Sequence, residues 1–240
     1  MEEFWINKAA QRTGLSEAVV KLTARHFSMK LINVPLLPNP IDIELLKPSL
    51  SASENNSLEI LYVGRLEFRK GVHTLIRAFK DVQENVPQAE LTFIGANCGM
   101  KDYLLSKTLQ LRYPEKVKFI EQLPRNRLVE YYQRSTVCVV PSIWENYPYT
   151  CLEAMACGKP VIACDTGGLK DIITHRFNGI LFPPESSRAL SEAIVALLKD
   201  SKQRKILGLN ARKTIEEKHS PEKVAQKTLY IYQNILNKFK

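Results

Sequence analysis

From residue 58 onward, short apolar segments alternate with stretches of helical periodicity, and this alternation constrains the fold more than any other feature. Apolar segments typical of buried strands occupy 58–63, 91–94, 117–120, 137–140, 161–163 and 179–182. Helical spacing of apolar residues is found over 71–85, 101–112, 126–134, 149–157, 169–173, 187–199, 202–217 and 221–239. Near-continuous apolar strands separated by helices indicate a parallel sheet covered on both faces. The sequence therefore predicts an α/β, Rossmann-like, doubly wound domain with a helical C-terminal tail.

The segment before residue 58 does not follow this alternation. A helix capped by Ser16 is expected to run to about Phe27, and 31–34 resembles a short strand. Three prolines within 35–40 exclude a helix interior or a central strand there. Because a polar stretch follows these prolines, we predict a rigid connector and place a domain boundary across 38–57.

The overall charge and the lack of long apolar runs limit the functional classes. The 240 residues carry a formal net charge of +9, a balance that suits nucleic acid, anionic lipid or phosphorylated ligands. The basic residues are spread out and not interleaved with aromatics, so nucleic-acid binding is not predicted. No apolar run approaches the ~18 residues that span a bilayer, and the acidic N-terminus lacks a signal pattern. We expect a cytoplasmic protein and keep peripheral membrane association open.

The first candidate site is the segment 63–71, which follows one predicted strand and opens the next helix. Doubly wound folds bind phosphate at this position. Gly64 gives the backbone room, while Arg65 and Lys70 supply positive charge for a phosphate. The alternative is an ordinary solvated basic loop, and the spacing alone does not decide between the two.

The second candidate site is 144–158, where a polar turn leads into a helix. Pro148 suits the first turn of this helix, so the free amides of Tyr149 and Thr150 would point toward an anion. Glu145 lies before the helix and Glu153 about one turn inside it, so we expect them to reach different parts of a ligand rather than share a proton. Carboxylates accept hydrogen bonds from vicinal hydroxyls, which favours a sugar or a ribose for each.

Both glutamates also have ordinary alternatives. Glu153 would be a first-turn acid favoured by the helix dipole, and Glu145 a surface loop residue. Taken with Arg65 and Lys70, however, they describe a nucleotide-sugar pocket that neutralises a diphosphate without a metal. The sequence contains no Asp-x-Asp motif that would clamp a divalent cation, so no metal site and no cofactor are predicted.

The ordered motifs resemble those of one known enzyme family. They are G-R-L-x3-K-G after a strand, then P-S-x2-E-N-Y-P-Y-T-x2-E-A-M-A-x-G-x-P-V-I-A, then T-G-G at 166–168. Together they resemble the C-terminal, donor-binding half of retaining GT-B glycosyltransferases of the group 1, family 4-like kind. The resemblance runs from about Pro38 to the C-terminus.

The resemblance implies a role for each matching residue. Arg65 and Lys70 would bind the donor diphosphate and stabilise the charge on the leaving group. Glu145 would hold hydroxyls of the transferred sugar and is, with Arg65 and Lys70, one of three implied catalytic residues. Glu153 would bind the ribose. The full implied donor-binding set is Gly64, Arg65, Lys70, Gln122, Leu123, Glu145, Asn146, Tyr147, Tyr149, Thr150 and Glu153.

Within this set, Asn146 and Tyr147 would line the sugar pocket, partly through backbone amides. The amides of Tyr149 and Thr150 would meet the phosphate. Gln122 and Leu123, in the loop after the strand 117–120, would lie near the base.

The resemblance also implies a reaction and its partners. A sugar would pass from a nucleoside diphosphate to a glycan or lipid acceptor with retention, without a metal and without a protein nucleophile. Family members carry the acceptor site on a first Rossmann-like half, of which residues 1–37 would be a remnant, with 38–57 as linker and 58–240 as donor domain. The chain is therefore expected to need an N-terminal domain or a partner chain. The alternative is a non-catalytic nucleotide-sugar-binding module or a subunit of a split enzyme. The sugar, the base and the acceptor are not specified by the sequence.

Overall fold

A parallel six-stranded sheet forms the centre of the molecule. The structure of the chain, a computed structural model, describes residues 9, 11–31, 33–49 and 58–238. The strands are β1 (Leu58–Val63), β2 (Ala89–Ile94), β3 (Val117–Ile120), β4 (Val137–Val140), β5 (Val161–Cys164) and β6 (Ile180–Phe182). Neighbours in the sheet follow the order β3-β2-β1-β4-β5-β6, and each pair is parallel. The predicted doubly wound α/β fold is confirmed.

Helices connect and flank the strands, with single 3-10 turns at Phe68–Lys70 and Pro114–Lys116. The α-helices are α1 (Glu17–His26), α2 (Val72–Asn85), α3 (Lys101–Thr108), α4 (Arg125–Arg134), α5 (Tyr149–Ala156), α6 (Leu169–Ile172), α7 (Ser187–Lys199), α8 (Ser201–Lys218) and α9 (Pro221–Lys238). α2 packs against α3 and α7, whereas α5 packs against α8. Parallel strands joined through helices cross over in a right-handed sense. The reversal of strand order at β1 and β4 therefore places α2 and α5 on opposite faces, and the central strands β4 and β5 are buried throughout.

Two element predictions are wrong, and a proline follows each of the two segments. The helix predicted over 101–112 ends at Thr108, whose Oγ1 donates to the carbonyl of Leu104. Pro114 disfavours helical backbone at the residue before it. Leu31, Asn33 and Val34 carry no strand, and Ile32 lies outside the described residues. Pro35 follows directly, and its carbonyl accepts from the amide of Gly14 instead.

The connector that precedes β1 packs onto the same domain. Ile41 and Leu46 are fully buried, and the amide of Ile41 donates to the carbonyl of His219 at 2.8 Å. Arg212 on α8 donates to the carbonyls of Ile43 and Leu46 at 3.2 and 2.7 Å. Residues 1–8, 10, 32, 50–57 and 239–240 lie outside the described part of the chain. The division into 1–37, 38–57 and 58–240 thus stays a prediction.

The C-terminal tail is helical, as predicted, and only some of its apolar side chains are buried. Val224 and Ile231 on α9 are each 8% exposed, whereas Tyr230 and Leu236 are exposed by more than half. Within the described residues, no helix is both long and apolar enough to cross a membrane.

Candidate functional site

Two loops meet at the carboxyl edge of the sheet, between β1 and β4. These strands are neighbours, with Ile60 paired to Val137. The chain leaves β1 toward β2 on one side and leaves β4 toward β5 on the other. This is the point of a doubly wound sheet at which a crevice opens. The loop 64–71 after β1 and the loop 141–148 after β4 form its walls.

The two loops are in direct backbone contact. The amide of Ile143 donates to the carbonyl of Arg69 at 2.9 Å. Gly71 caps α2 with φ 69°, a left-handed conformation that favours glycine. A side chain at this position would collide with the carbonyl oxygen of Pro141. Gly71, at the end of the predicted phosphate loop, is therefore required by the approach of the second loop.

Lys70 and Glu145, one from each loop, form an ion pair at the base of the crevice. Lys70 Nζ lies 2.5 Å from Glu145 Oε1, and the hydroxyl of Ser142 donates to the same oxygen at 2.8 Å. The Glu145 side chain is 9% exposed and that of Lys70 19%. Such a buried carboxylate requires a partner, because an unpaired charge out of water is costly. The sequence did not predict this contact.

Two arginines continue the positive charge toward the rim. Arg65 lies 3.1 Å and Arg69 3.0 Å from one oxygen of Glu67. Arg69 also donates to the carbonyl of Trp144 at 3.1 Å. The hydroxyl of the buried Tyr62 donates to the carbonyl of Arg65 at 2.7 Å, which fixes the backbone after Gly64. The exposed guanidinium groups can exchange Glu67 for another anion.

The N-terminus of α5 opens into the same crevice without a side-chain cap. Pro148 is the N-cap residue rather than the first helical residue. The amides of Tyr149 and Thr150 have no acceptor among the described residues. The side chains of Asn146 and Tyr149 are exposed. Free amides at a helix start favour a negatively charged ligand.

The T-G-G motif supports the loop from behind. The amide of Gly168 donates to the carbonyl of Glu145 at 2.9 Å. A side chain at Gly168 would collide with the carbonyl oxygen of Asn146. This close backbone approach holds the start of the 145–148 segment.

The side chain of Tyr147 does not line the crevice. It is 8% exposed, and its hydroxyl lies 3.4 Å from Nε2 of His219. Nδ1 of that histidine lies 3.1 Å from the carbonyl of Asn39, and the Asn39 amide donates to the Tyr147 carbonyl at 3.3 Å. The predicted side-chain contact of Tyr147 with a sugar is therefore not supported, and only its backbone remains available.

Glu153 lies on α5 with a separate set of partners. The hydroxyl of Tyr132 donates to Glu153 Oε2 at 3.0 Å, and Arg125 Nε lies 3.6 Å from Oε1. Burial raises the pKa of the Glu153 carboxyl, and the two partners oppose this. Because Glu145 and Glu153 have no partner in common, the geometry agrees with the expectation that they do not share a proton.

A cavity of about 290 Å³ opens beside the crevice, at the carboxyl ends of β1, β2 and β3. Gln122 is one of its lining residues, whereas Leu123 packs against the core. The other lining residues are Leu66, Gly95, Ala96, Asn97, Lys101, Phe119, Ile120 and Glu121. A planar group of base size fits this volume. The assignment of Gln122 and Leu123 to the base stays a prediction.

Sequence reasoning missed several residues of this arrangement. Ser142 follows the end of β4, where polar residues of parallel sheets gather, so its position was a usable signal. Tyr132 gave no signal, because an aromatic residue at helical spacing is typical of a core. Arg69 was one basic residue among several in its loop. No three side chains of His, Cys, Asp or Glu cluster as metal ligands do in the part of the chain that the structure describes.

Comparison with known proteins identifies the family of this chain. A family model for glycosyl transferases group 1 matches residues 47–214. An uncharacterized glycosyltransferase of Methanocaldococcus jannaschii is 36% identical over 174 residues, which are 72% of this chain and 44% of that protein. The chain spans about half the length of the curated relatives that it matches.

Solved structures share the fold over nearly the whole chain. Sucrose-phosphate synthase of Thermosynechococcus elongatus has a TM-score of 0.86 and 28% identity, covering 98% of this chain and 61% of its own. The HepE protein of Anabaena, in complex with UDP, has a TM-score of 0.83 over 95% of this chain and 64% of its own. At 23% identity, the latter likeness concerns the fold alone.

Proposed function

Since this chain belongs to the glycosyl transferases group 1 family, we propose that it is the donor-binding half of a transferase that uses a nucleoside-diphosphate sugar. The observation that carries the proposal is the Lys70–Glu145 pair at the switch point of the sheet. Around it lie exposed arginines, an uncapped helix start and a second carboxylate. These groups match a ligand with two phosphates flanked by hydroxylated rings.

In the proposed complex, Lys70, Arg65 and the amides of Tyr149 and Thr150 neutralise the diphosphate. Glu145 then accepts hydrogen bonds from hydroxyls of the transferred sugar, and Glu153 accepts those of the ribose. The base occupies the cavity that Gln122 lines. Each contact follows from the charge and hydrogen-bonding capacity of the group.

The proposed reaction retains the anomeric configuration. The bond between the anomeric carbon and the phosphate oxygen breaks, and the acceptor oxygen bonds to the same face. The departing phosphate oxygen takes the proton of the acceptor hydroxyl. Arg65 and Lys70 stabilise the charge that grows on the diphosphate, which is where preorganised cations lower a barrier most. No metal and no cofactor take part in this proposal.

A second candidate is a non-catalytic module or a subunit of a split enzyme. The observation that favours it is coverage, because the chain matches about half of its relatives' length. In both candidates the acceptor is a glycan or a lipid, and a further Rossmann-like domain or partner chain completes the site. We also propose that the protein is cytoplasmic and contacts a membrane surface that carries anionic lipids. The net charge of +9 supports this contact.

Calorimetric titration of UDP and GDP into the full chain tests the donor site. UDP comes first, because the Anabaena protein of this fold holds it. We expect one nucleotide to bind, and Lys70→Ala to weaken that affinity by about 30-fold, roughly 2 kcal/mol. Lys118→Ala is the matched control, because Lys118 pairs with Glu90 on another strand. This variant should leave the nucleotide affinity unchanged. If neither nucleotide binds, the proposed function fails.

Transfer assays separate the two candidates. Sugar transfer by the chain alone excludes the non-catalytic module. Transfer that requires an added second polypeptide supports the split enzyme. Cosedimentation with vesicles that contain anionic lipid tests the membrane contact, and equal binding to neutral vesicles contradicts its electrostatic basis.

A further inference from the structure

Tyr132 on α4 is buried, and its hydroxyl is directed at the carboxylate of Glu153. The residue is 1% exposed, and its hydroxyl donates to Glu153 Oε2 at 3.0 Å. Burial raises the pKa of this phenol well above its ordinary value. The hydroxyl therefore stays protonated and acts as a permanent donor to the carboxylate.

The second oxygen of Glu153 has a weaker and more exposed neighbour. Arg125 Nε lies 3.6 Å from Oε1, which is beyond a good hydrogen bond, and its side chain is 46% exposed. An ionised carboxylate has about four acceptor positions. Tyr132 occupies one of them on Oε2, so both oxygens keep free acceptor positions while the plane of the group is held.

We propose that Tyr132 is a positioning residue, which orients Glu153 so that both carboxylate oxygens receive the vicinal hydroxyls of a ribose. This inference rests on the proposed function, because it takes Glu153 as the ribose contact. A vicinal diol needs both oxygens of one carboxylate in a fixed plane, whereas a freely rotating side chain pays for that order on binding. The hydrogen bond also favours the ionised form of Glu153, which accepts from both hydroxyls.

Affinities for a nucleotide and its 2′,3′-dideoxy analogue test the inference. UDP or GDP, whichever binds the full chain, is compared with its dideoxy form by calorimetry. We expect the wild type to prefer the ribose form by at least about tenfold, as hydrogen bonds to a charged group provide. Tyr132→Phe keeps the ring and removes the donor. It should reduce this preference to about threefold or less and leave affinity for the dideoxy form unchanged.

A structural role for Tyr132 predicts a different result. If Tyr132→Phe weakens both nucleotides equally, or keeps the full preference, the inference is overturned. Tyr103→Phe is the control, because it removes a hydroxyl on α3 that Arg77 contacts at 3.2 Å, away from Glu153. That variant should keep the wild-type preference.

Two outcomes of the wild-type titration distinguish failure of the inference from failure of the proposed function. Wild type that binds neither nucleotide overturns the proposed function and the inference together. Wild type that binds both forms equally overturns the ribose role of Glu153 and this inference, while the diphosphate site stands. If Tyr132→Phe does not fold, Glu153→Asp withdraws the carboxylate from the hydroxyl by one methylene. An unchanged preference in Glu153→Asp contradicts the inference.

The pH dependence gives a readout that packing alone would not move. In the part of the chain that the structure describes, the titratable and charged groups that face Glu153 are Tyr132, Arg125 and the buried thiol of Cys157. Because the Tyr132 hydrogen bond lowers the pKa of the Glu153 carboxyl, its loss raises that pKa further. Ribose preference in Tyr132→Phe should therefore decline at a higher pH than in the wild type as pH falls. Coincident profiles contradict the proposed role.

Discussion

The surroundings of Glu145 and Glu153 differ in kind, although both lie near the start of α5. Glu145 is paired with a cation, Lys70, and accepts from Ser142. Glu153 accepts from a neutral hydroxyl and has its cation farther away. In the proposed complex, a ligand anion competes with Glu145 for Lys70, whereas nothing on the ligand competes with Glu153 for Tyr132. We infer that the first site changes partners on binding and that the second is set beforehand.

Breaking the Glu145 pair should have the largest effect on stability. Lys70→Met removes the nearer cation and leaves the buried carboxylate with the Ser142 hydroxyl and with Arg69 at 4.0 Å. This loss should lower the free energy of unfolding by about 3 kcal/mol. The double variant with Glu145→Gln removes both charges and should recover most of this loss without recovering nucleotide binding. Urea denaturation of both variants measures the difference. Equal stability of the single and double variants would contradict the expected cost of leaving the Glu145 carboxylate without Lys70.

Glu145→Gln should strengthen the binding of a nucleoside diphosphate without a sugar. The amide still accepts from Ser142, but it no longer neutralises Lys70, so the lysine is free for phosphate. We expect UDP or GDP affinity to rise about fivefold, roughly 1 kcal/mol, and the preference for the sugar-bearing form to fall. Calorimetry with both forms measures this. A loss of affinity for the bare diphosphate would contradict the exchange of partners.

The pH dependence of stability at Glu153 should have a defined sign. Burial raises the pKa of this carboxyl in the folded state. Its contribution to stability is therefore complete below the unfolded pKa of about 4.3 and declines as pH rises through the folded pKa. Relative to Glu153→Gln, the wild type should become less stable from pH 4 to pH 7. Denaturant titrations at a series of pH values test this, and a constant difference contradicts it.

The contribution of His219 to stability should change with pH in the opposite direction to that of Glu153, and by less. Burial lowers the pKa of His219, and its hydrogen bond to Asn39 opposes this in part. Stability from His219 is present above the unfolded pKa of about 6.5 and is lost as pH falls through the folded pKa. Between pH 7.5 and 5.5 the wild type should lose stability relative to His219→Gln. A relative gain over this interval would contradict the assignment.

The fold was predictable from the sequence because its strands are short, mostly apolar and separated by segments of helical periodicity. β1, β3, β4 and α7 have the predicted bounds, since Gly64, Glu121, Pro141 and Asp200 interrupt the apolar pattern directly after them. The order of strands did not follow from periodicity, which contains no information on which strands become neighbours. The proximity of the two candidate loops was predictable, because loops that follow parallel strands lie at the same edge of the sheet.

Contacts between side chains were less accessible. Nothing in the spacing of Lys70 and Glu145 reveals that they touch, because the contact depends on β1 lying beside β4. Tyr147 and Asn146 are adjacent, yet one is buried and the other exposed, and a loop has no periodicity that separates such cases. The contact of Tyr132 with Glu153 depends on how α4 packs against the rest of the domain, which the sequence pattern does not reveal.

The backbone contact between the loops 64–71 and 141–148 restricts how this site can diversify. Because Ile143 is hydrogen-bonded to Arg69 and Gly71 lies against Pro141, we expect an insertion between 69 and 71 or between 141 and 143 to separate the two loops. If the proposed site is correct, substitutions at exposed positions such as Asn146 can alter ligand preference without disturbing these contacts. For protein engineering, libraries of fixed length at these positions are the productive choice, and loop grafts are not.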